Sequence, residues 1–351
     1  VNITVLAYLE PGATQPDIAI EQVRKALEAA KHKPTILAIH DDVTELVSRL
    51  RQHKPDLVFN LVESFAKDII GGQIAVTGIL DLLQLPYTGG GPGELYLQED
   101  KALSKKLLAY EQVLYPDFAT FEPNADVETS GRLRMPLFVK PLRMDASIGI
   151  DENSLVRNTT ELIEQVQWIH KTFRDTALVE EYIEGREFYV SVLGNQNPVA
   201  FPPIEMDFSG LPEGSLPVMD NKAKFDESSE RFQGTRAVVA ELEPELKARL
   251  QRIALDAYRA LRVRDYGRID LRLAETGEIY VIEVNANCYL EEHSEFAMAA
   301  AAHGIDYVSL ISRIVDLAMD RFEHPSAVKR KKRKKKPSAK NGAAATKKQA
   351  E

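Results

Sequence analysis

The sequence predicts a mixed α/β and α+β chain of three packed units and a basic tail. Three observations carry this. Short apolar runs alternate with amphipathic stretches over residues 1–90, as in a parallel α/β unit. Apolar runs at 268–273 and 279–285 flank Glu275-Thr276-Gly277, the pattern of two strands joined by a tight turn. A length of 351 residues with 44% hydrophobic content suffices for more than one core. The predicted units are 1–95 (parallel α/β), 96–184 (small, central), 185–324 (antiparallel sheet) and 325–351 (disordered basic tail).

Each element follows from local chemistry. Residues 3–9 form an apolar run that Pro11-Gly12 ends, and 16–30 form an amphipathic helix whose first turn tolerates Pro16. Strands at 35–39 and 57–59 bracket a helix at 44–52, and a helix at 72–85 stops before Pro86. The 88–93 segment is a glycine-rich loop. A helix at 100–111 precedes a strand at 137–140, a flexible loop at 145–149 and a helix at 161–173. Strands at 177–181 and 187–193 follow, and 207–234 is polar and irregular, a mobile loop. Pro244 opens a helix to residue 261. The paired strands turn at Gly277, and helices at 294–304 and 308–322 close the ordered chain before Pro325.

The net charge of -9 is a sum of unlike parts. Residues 329–351 hold 11 basic residues and one acidic, which leaves 33 basic against 52 acidic for 1–328. The body is therefore -19 and the tail +10. Eight consecutive cations, KRKKRKKK at 329–336, repel one another and have nothing to bury, so the tail is expected to be disordered. Such a tail can adsorb nucleic acid or an anionic surface through counterion release. The single Cys288 excludes an intrachain disulfide and a cysteine-rich zinc site. No apolar run of about 18 residues implies a membrane span, and the amino terminus lacks a signal-peptide pattern, so a cytoplasmic protein is expected.

The sharpest chemical signal is Asp270, Glu283 and Asn285. Alternate strand residues share a face, so Glu283 and Asn285 point together, and a neighbouring strand can bring Asp270 beside them. Two carboxylates and an amide oxygen make a hard-oxygen set suited to Mg²⁺. The competing reading is a solvated acidic sheet face, which the apolar context of both strands disfavours. Lys101, Lys140 and Arg268 are the cations to grip a triphosphate. The loop 145–149, with Ser147, can cradle phosphate through its backbone. Glu180, Glu181, Tyr182 and Ile183 follow a strand where backbone groups can read an adenine edge, and Glu187 can accept from ribose hydroxyls. Glu10 and Glu63 lie just past two amino-terminal strands, where ligands approach such sheets.

The ordered motifs DLVFNLVES (56–64), LPYTGGG (85–91), DKALSKKLL (100–108), PLFVKP (136–141), VEEYIEGREF (179–188), GRID (267–270) and YVIEVNAN (280–287) resemble the ATP-grasp superfamily. Within it they resemble the D-alanine–D-alanine ligases and their relatives, over nearly all of residues 1–322. The resemblance implies an ATP-grasp fold and an ATP-dependent carboxylate–amine ligase. It implies ATP and two Mg²⁺ ions, with Mn²⁺ as a substitute, small carboxylate and amine substrates, and a homodimer. By residue, it implies that Lys101 and Lys140 contact ATP phosphates, Ser147 ends the phosphate loop, Glu180 to Ile183 form the adenine linker, and Glu187 binds ribose. Asp270, Glu283 and Asn285 would hold magnesium, and Arg268 would stabilise phosphoryl transfer. The resemblance also implies that Lys224 lies in a loop that closes over the site, and Ser294 near the second substrate's carboxylate. Glu10 is counted with the catalytic residues. The implied route forms an acylphosphate that an amine then attacks.

The recognition segments depart from that family. Glu63-Ser64-Phe65-Ala66-Lys67 replaces a histidine–glycine-rich stretch, Met144-Asp145-Ala146-Ser147 replaces glutamate-glycine-serine-serine, Cys288-Tyr289 replaces proline-glycine, and Phe225 replaces a tyrosine. With Glu291, Glu292 and Glu295 nearby, an amino-rich or cationic substrate is expected. The alternatives are a D-alanine–D-alanine or ester-forming depsipeptide ligase, and a non-catalytic nucleotide-binding protein tethered to nucleic acid by the tail.

Overall fold

The computed structural model describes residues 1–9, 16–65, 71–123 and 133–323. Glu10 and the tail from residue 325 lie outside the described residues.

The amino-terminal unit runs β1 (Asn2–Tyr8), α1 (Ile18–Ala29), β2 (Lys33–Ile39), α2 (Val43–His53), β3 (Leu57–Asn60), α3 (Gly72–Leu83) and α4 (Pro92–Glu99). Its sheet is parallel, in the order β2-β1-β3. Right-handed crossovers require helices between such strands, and the amphipathic α1 and α2 supply them. The α1 helix starts at Ile18, later than Pro16, because the Asp17 carboxylate accepts from the Ala19 N–H at 2.7 Å and caps it. The sequence reads 88–93 as a loop. The structure begins α4 inside it, with Pro92 at the first helical position.

The central unit holds α5 (Lys101–Tyr110), β4 (Phe118–Phe121), β5 (Leu137–Pro141), β6 (Leu155–Val156), α6 (Thr159–Phe173) and β7 (Ala177–Glu181). Its antiparallel sheet runs β4-β7-β5-β6, with Leu162, Val166 and Ile169 of α6 buried against Val139 and Val179.

The third unit comprises β8 (Gly185–Leu193), β9 (Val199–Ala200), β10 (Ile204–Asp207), α7 (Asn221–Phe225), α8 (Glu230–Gln233), β11 (Arg236–Val239), α9 (Pro244–Ala260), β12 (Tyr266–Ala274), β13 (Ile279–Asn285), α10 (Glu295–Ala302) and α11 (Tyr307–Glu323). The sheet order is β11-β10-β8-β12-β13, with β9 on β8. Phe188, Val190, Ile269 and Leu271 turn to one face and pack on Leu250, Ala254 and Ala257 of α9. The alternate residues Glu187, Tyr189, Arg268, Asp270 and Arg272 therefore face the other way. The expected irregular stretch 207–234 contains α7, capped by Asp220, and α8, capped by Ser229. Both helices are too short to show a 3.6-residue period in sequence.

The chain returns to its start. Leu310, Ile311 and Ile314 of α11 share one core with Ile3 and Val5 of β1 and Ile20 and Val23 of α1. The LPYTGGG motif joins the amino-terminal unit to the residues flanking β12 and β13. Gly89 (φ +82°) donates its N–H to Asp265 at 2.9 Å, and a Cβ there would meet Asn287 Oδ1 at 2.6 Å. Among the described residues no helix is long and apolar enough to cross a membrane.

Candidate active site

The β12–β13 register places Asp270 opposite Glu283 and Arg268 opposite Asn285. The pairing then slips: Leu271 lies opposite Val281, so Ile282 is an extra residue on β13. This bulge lets Val281 join the α9 core while Glu283 keeps to the face of Asp270. In an unbulged strand, 281 and 283 would share a side.

A cleft opens on that face between the central and third units. Its wall includes Lys140, Ser147, Glu180 to Ile183, Glu187, Lys224, Asp270 and Glu283. Ten of the sequence-derived residues thus meet in one place. Lys101 lies behind the wall, and Arg268 and Asn285 reach it through Asp270. Ser294 caps α10, with its hydroxyl 3.5 Å from the Ala297 N–H, and is not in the wall.

The cations of the site are held by carboxylates. Lys101 Nζ is 2.9 Å from Asp145 Oδ1, 2.9 Å from the Met144 carbonyl and 3.1 Å from Glu283 Oε1. Burial alone would lower the Lys101 ammonium, but Asp145 and Glu283 outweigh it and raise it. Arg268 binds both oxygens of Asp270 at 2.8 and 3.0 Å, approaches Glu295 at 3.4 Å, and lies over the Tyr189 ring. Arg272 reaches Glu187 at 2.8 Å and the Ile183 carbonyl at 3.1 Å. Lys140 and Lys105 each stand 2.8 Å from one oxygen of Glu180. Among the described residues Lys224 has no ion-pair partner. Lys105 and Arg272 are absent from the residues that the sequence singles out. Each lies four residues after a chosen cation, Lys101 and Arg268, which was the available signal: i, i+4 on a helix and even spacing on a strand share a face.

The two central carboxylates diverge. Burial raises Asp270 to about 6 despite Arg268, whereas Glu283 is held at about 2 because Lys101, Lys140 and Lys224 overcome its burial. The donor set fits a hard divalent cation: two carboxylates and the Asn285 amide share one face, and the buried Glu283 Oε1 accepts no aligned hydrogen bond among the described residues. At present Asn285 Nδ2 donates to Asp270 Oδ2 at 3.2 Å. No cluster of three or more His, Cys, Asp or Glu able to hold a metal occurs among the described residues.

The 145–149 loop turns through left-handed conformations at Ala146 (φ +53°), Ser147 (φ +58°) and Gly149 (φ +77°). Ser147 Oγ donates to the Met219 carbonyl at 2.7 Å and so ties this loop to the 207–234 segment.

A second cavity lies past the carboxyl ends of β1 and β3, lined by Asp17, Ile20, Glu63, Ser64, Cys288 and Tyr289 among others. Tyr289 donates its hydroxyl to Asp17 at 2.8 Å. Glu63 keeps more than a third of its surface open to this concave space. The crowding walls, with Asp17 and Asp145, still raise its carboxyl to about 7. Burial pushes the Cys288 thiol up to about 12, so it is no nucleophile near neutral pH. Of the acidic cluster, Glu291 accepts from Gln22 at 2.9 Å and Glu295 pairs with Arg268. The carboxylates that face this cavity are Asp17 and Glu63.

The chain resembles known proteins over most of its length. Residues 106–316 match the family model described as D-ala D-ala ligase C-terminus. An uncharacterized protein of Sinorhizobium fredii, y4sG, is 35% identical over 76% of this chain and 75% of its own length. The D-alanine--D-alanine ligase of Aquifex aeolicus is 30% identical over 84% of this chain and 92% of its own. The crystal structure of the Bacillus anthracis D-alanine--D-alanine ligase complexed with ATP superposes with a TM-score of 0.73. It covers 92% of this chain and 99% of that one at 22% identity, which shows a shared fold.

Proposed function

The chain belongs to the D-alanine–D-alanine ligase family, and from that premise we propose that it joins an amino-acid-like carboxylate to an amine at the β12–β13 face. It is an ATP-dependent ligase forming C–N bonds. The observation that carries the assignment of the site is the convergence of Asp270 and Glu283 with Lys140, Lys224 and Ser147 on one cleft.

ATP, when bound with magnesium, would supply the phosphoryl group that makes a carboxylate an acyl donor. Asp270, Glu283 and Asn285 would hold the metal. Lys140, Lys224 and the backbone around Ser147 neutralise phosphate, with Lys101 adding charge from behind. Glu181 to Ile183 face the base, and Glu187, fixed by Arg272 and Tyr189, faces the ribose. Arg268 supplies positive charge where the carboxyl reacts. The 207–234 segment, tied to the phosphate loop through Ser147, excludes water that would hydrolyse an activated acyl group.

Asp17 and Glu63 support a substrate bearing an amino group in the second cavity, with Ile20, Leu61 and Leu290 against its carbon chain. The Glu63 carboxyl and the Tyr289 ring favour a substrate other than D-alanine, because they add charge and bulk to this cavity. Mass spectrometry of reactions with D- and L-amino acids as donors, and amines or hydroxy acids as acceptors, tests the reading. It predicts an amide product, donor plus acceptor less water, formed with ADP. D-Alanyl-D-alanine as the main product would refute altered specificity, and an ester product would refute the amine acceptor. For the tail, we propose sequence-independent adsorption to nucleic acid. Filter binding with and without residues 326–351 across a salt series checks it, and equal binding by both forms would refute it.

A further inference from the structure

We propose that Lys105 is a positioning residue of the nucleotide site, which holds the charge of Glu180 so that Lys140 is free to engage phosphate. This rests on the nucleotide reading of the cleft.

Glu180 is buried at 3% exposure, and its two oxygens serve two ammonium groups. Oε2 is 2.8 Å from Lys140 Nζ, and Oε1 is 2.8 Å from Lys105 Nζ, an ion pair outside hydrogen-bond alignment. Lys105 is itself 1% exposed and donates to the carbonyl of the bulge residue Ile282 at 3.3 Å. Lys140 and Glu180 belong to the cleft wall and Lys105 does not. The charged groups around Glu180 are Lys105 from α5 and Lys140 from β5; around Lys105 they are Glu180 from β7, Lys140, and Glu283 from β13. Burial works against charge on both partners: it lowers the Lys105 ammonium even with Glu180 beside it, while the two lysines hold Glu180 below the usual carboxylate range.

One carboxylate between two ammonium groups leaves one positive charge over, and the cleft sees it through Lys140. When Lys140 turns toward a phosphate, Glu180 stays paired with Lys105. Without Lys105 the same movement strands a carboxylate in a dry interior, a strongly unfavourable state. Glu180 would then take up a proton as nucleotide binds. The cation that grips phosphate is thus made available by one that never touches it.

The test is calorimetric titration of the full chain with adenylyl imidodiphosphate and Mg²⁺, in buffers of differing ionisation enthalpy, to count protons taken up on binding. Lys105→Met is expected to take up close to one proton more than wild type. Its affinity should fall about tenfold per pH unit near neutrality relative to wild type. Lys105→Arg and the double variant Lys105→Met/Glu180→Gln are expected to return to the wild-type proton count. Lys105→Gln gives the same reading if the Met variant does not fold. An unchanged proton count in the Lys105 variant, whatever its affinity, overturns the proposal, since lost packing alone moves no proton. Persistence of the extra proton in the double variant also overturns it. Failure of wild type to bind the analogue would instead sink the nucleotide reading and the inference with it.

Discussion

Asp270 and Glu283 face each other across two strands, yet their carboxyls are shifted in opposite directions, to about 6 and about 2. Both are buried, and what differs is the surrounding charge: Glu283 feels Lys101, Lys140 and Lys224, while Asp270 has Arg268 and Lys224 set against the repulsion of Glu283. Replacing Glu283 by Gln keeps the shape and removes the charge. A steady-state assay of ADP formation should show kcat lowered about a hundredfold or more. Glu99 gives a stability prediction. It is buried at 2% exposure, accepts from Gln73, and burial with the nearby Asp145 raises its carboxyl to about 8. The raised group favours the fold while protonated. Below pH 4.5, its ordinary value, wild type and Glu99→Gln should be equally stable. As pH rises toward 8 the unfolded chain ionises freely and the folded one does not, so wild type should lose ground and the Gln variant should melt higher. Thermal melts at pH 4 and 8 compare the two. At this scale Asp270, Glu283 and Lys140 were legible, being ionisable groups inside apolar runs. Lys105 was not, since DKALSKKLL presents its lysines alike to a reader who cannot see which face is covered.

Elements set these residues in place. Lys101 opens α5, whose start is fixed by the Asp100 carboxylate accepting from the Leu103 N–H at 2.9 Å. Asp100→Ala should cost about 1 kcal/mol in urea unfolding and raise KM for ATP, because Lys101 and Lys105 both hang from this helix. The β12–β13 turn depends on Gly277 at φ +91°, where a Cβ would meet no atom within 4 Å. Gly277→Ala should therefore cost about 1 kcal/mol through backbone strain alone and leave KM unchanged. This hairpin could be read from the sequence because its turn residue is diagnostic. The bulge at Ile282 could not, since alternation of apolar residues says nothing about where a partner strand slips. The helices α7 and α8 were hidden for a different reason: five and four residues give no period, and their caps look like loop polar groups.

Across the whole molecule the division into units is less linear than the chain order. The last helix packs on the first, and the glycine-rich motif joins the parallel unit to Asp265 and Asn287 beside β12 and β13. Motif order could identify the superfamily without any of this, because seven segments in register are improbable by chance. It could not show that nearly every cation of the cleft is already matched by a carboxylate, which only tertiary packing decides. In the proposed reaction, substrates and metal would replace internal ion pairs, so the site would exchange partners without exposing buried charge. The central claim is that the cleft activates a carboxylate as an acylphosphate. Labelling the carboxylate of a turned-over acid substrate with ¹⁸O tests it most directly. The account predicts one ¹⁸O atom in the inorganic phosphate released per turnover; phosphate free of the label would contradict it.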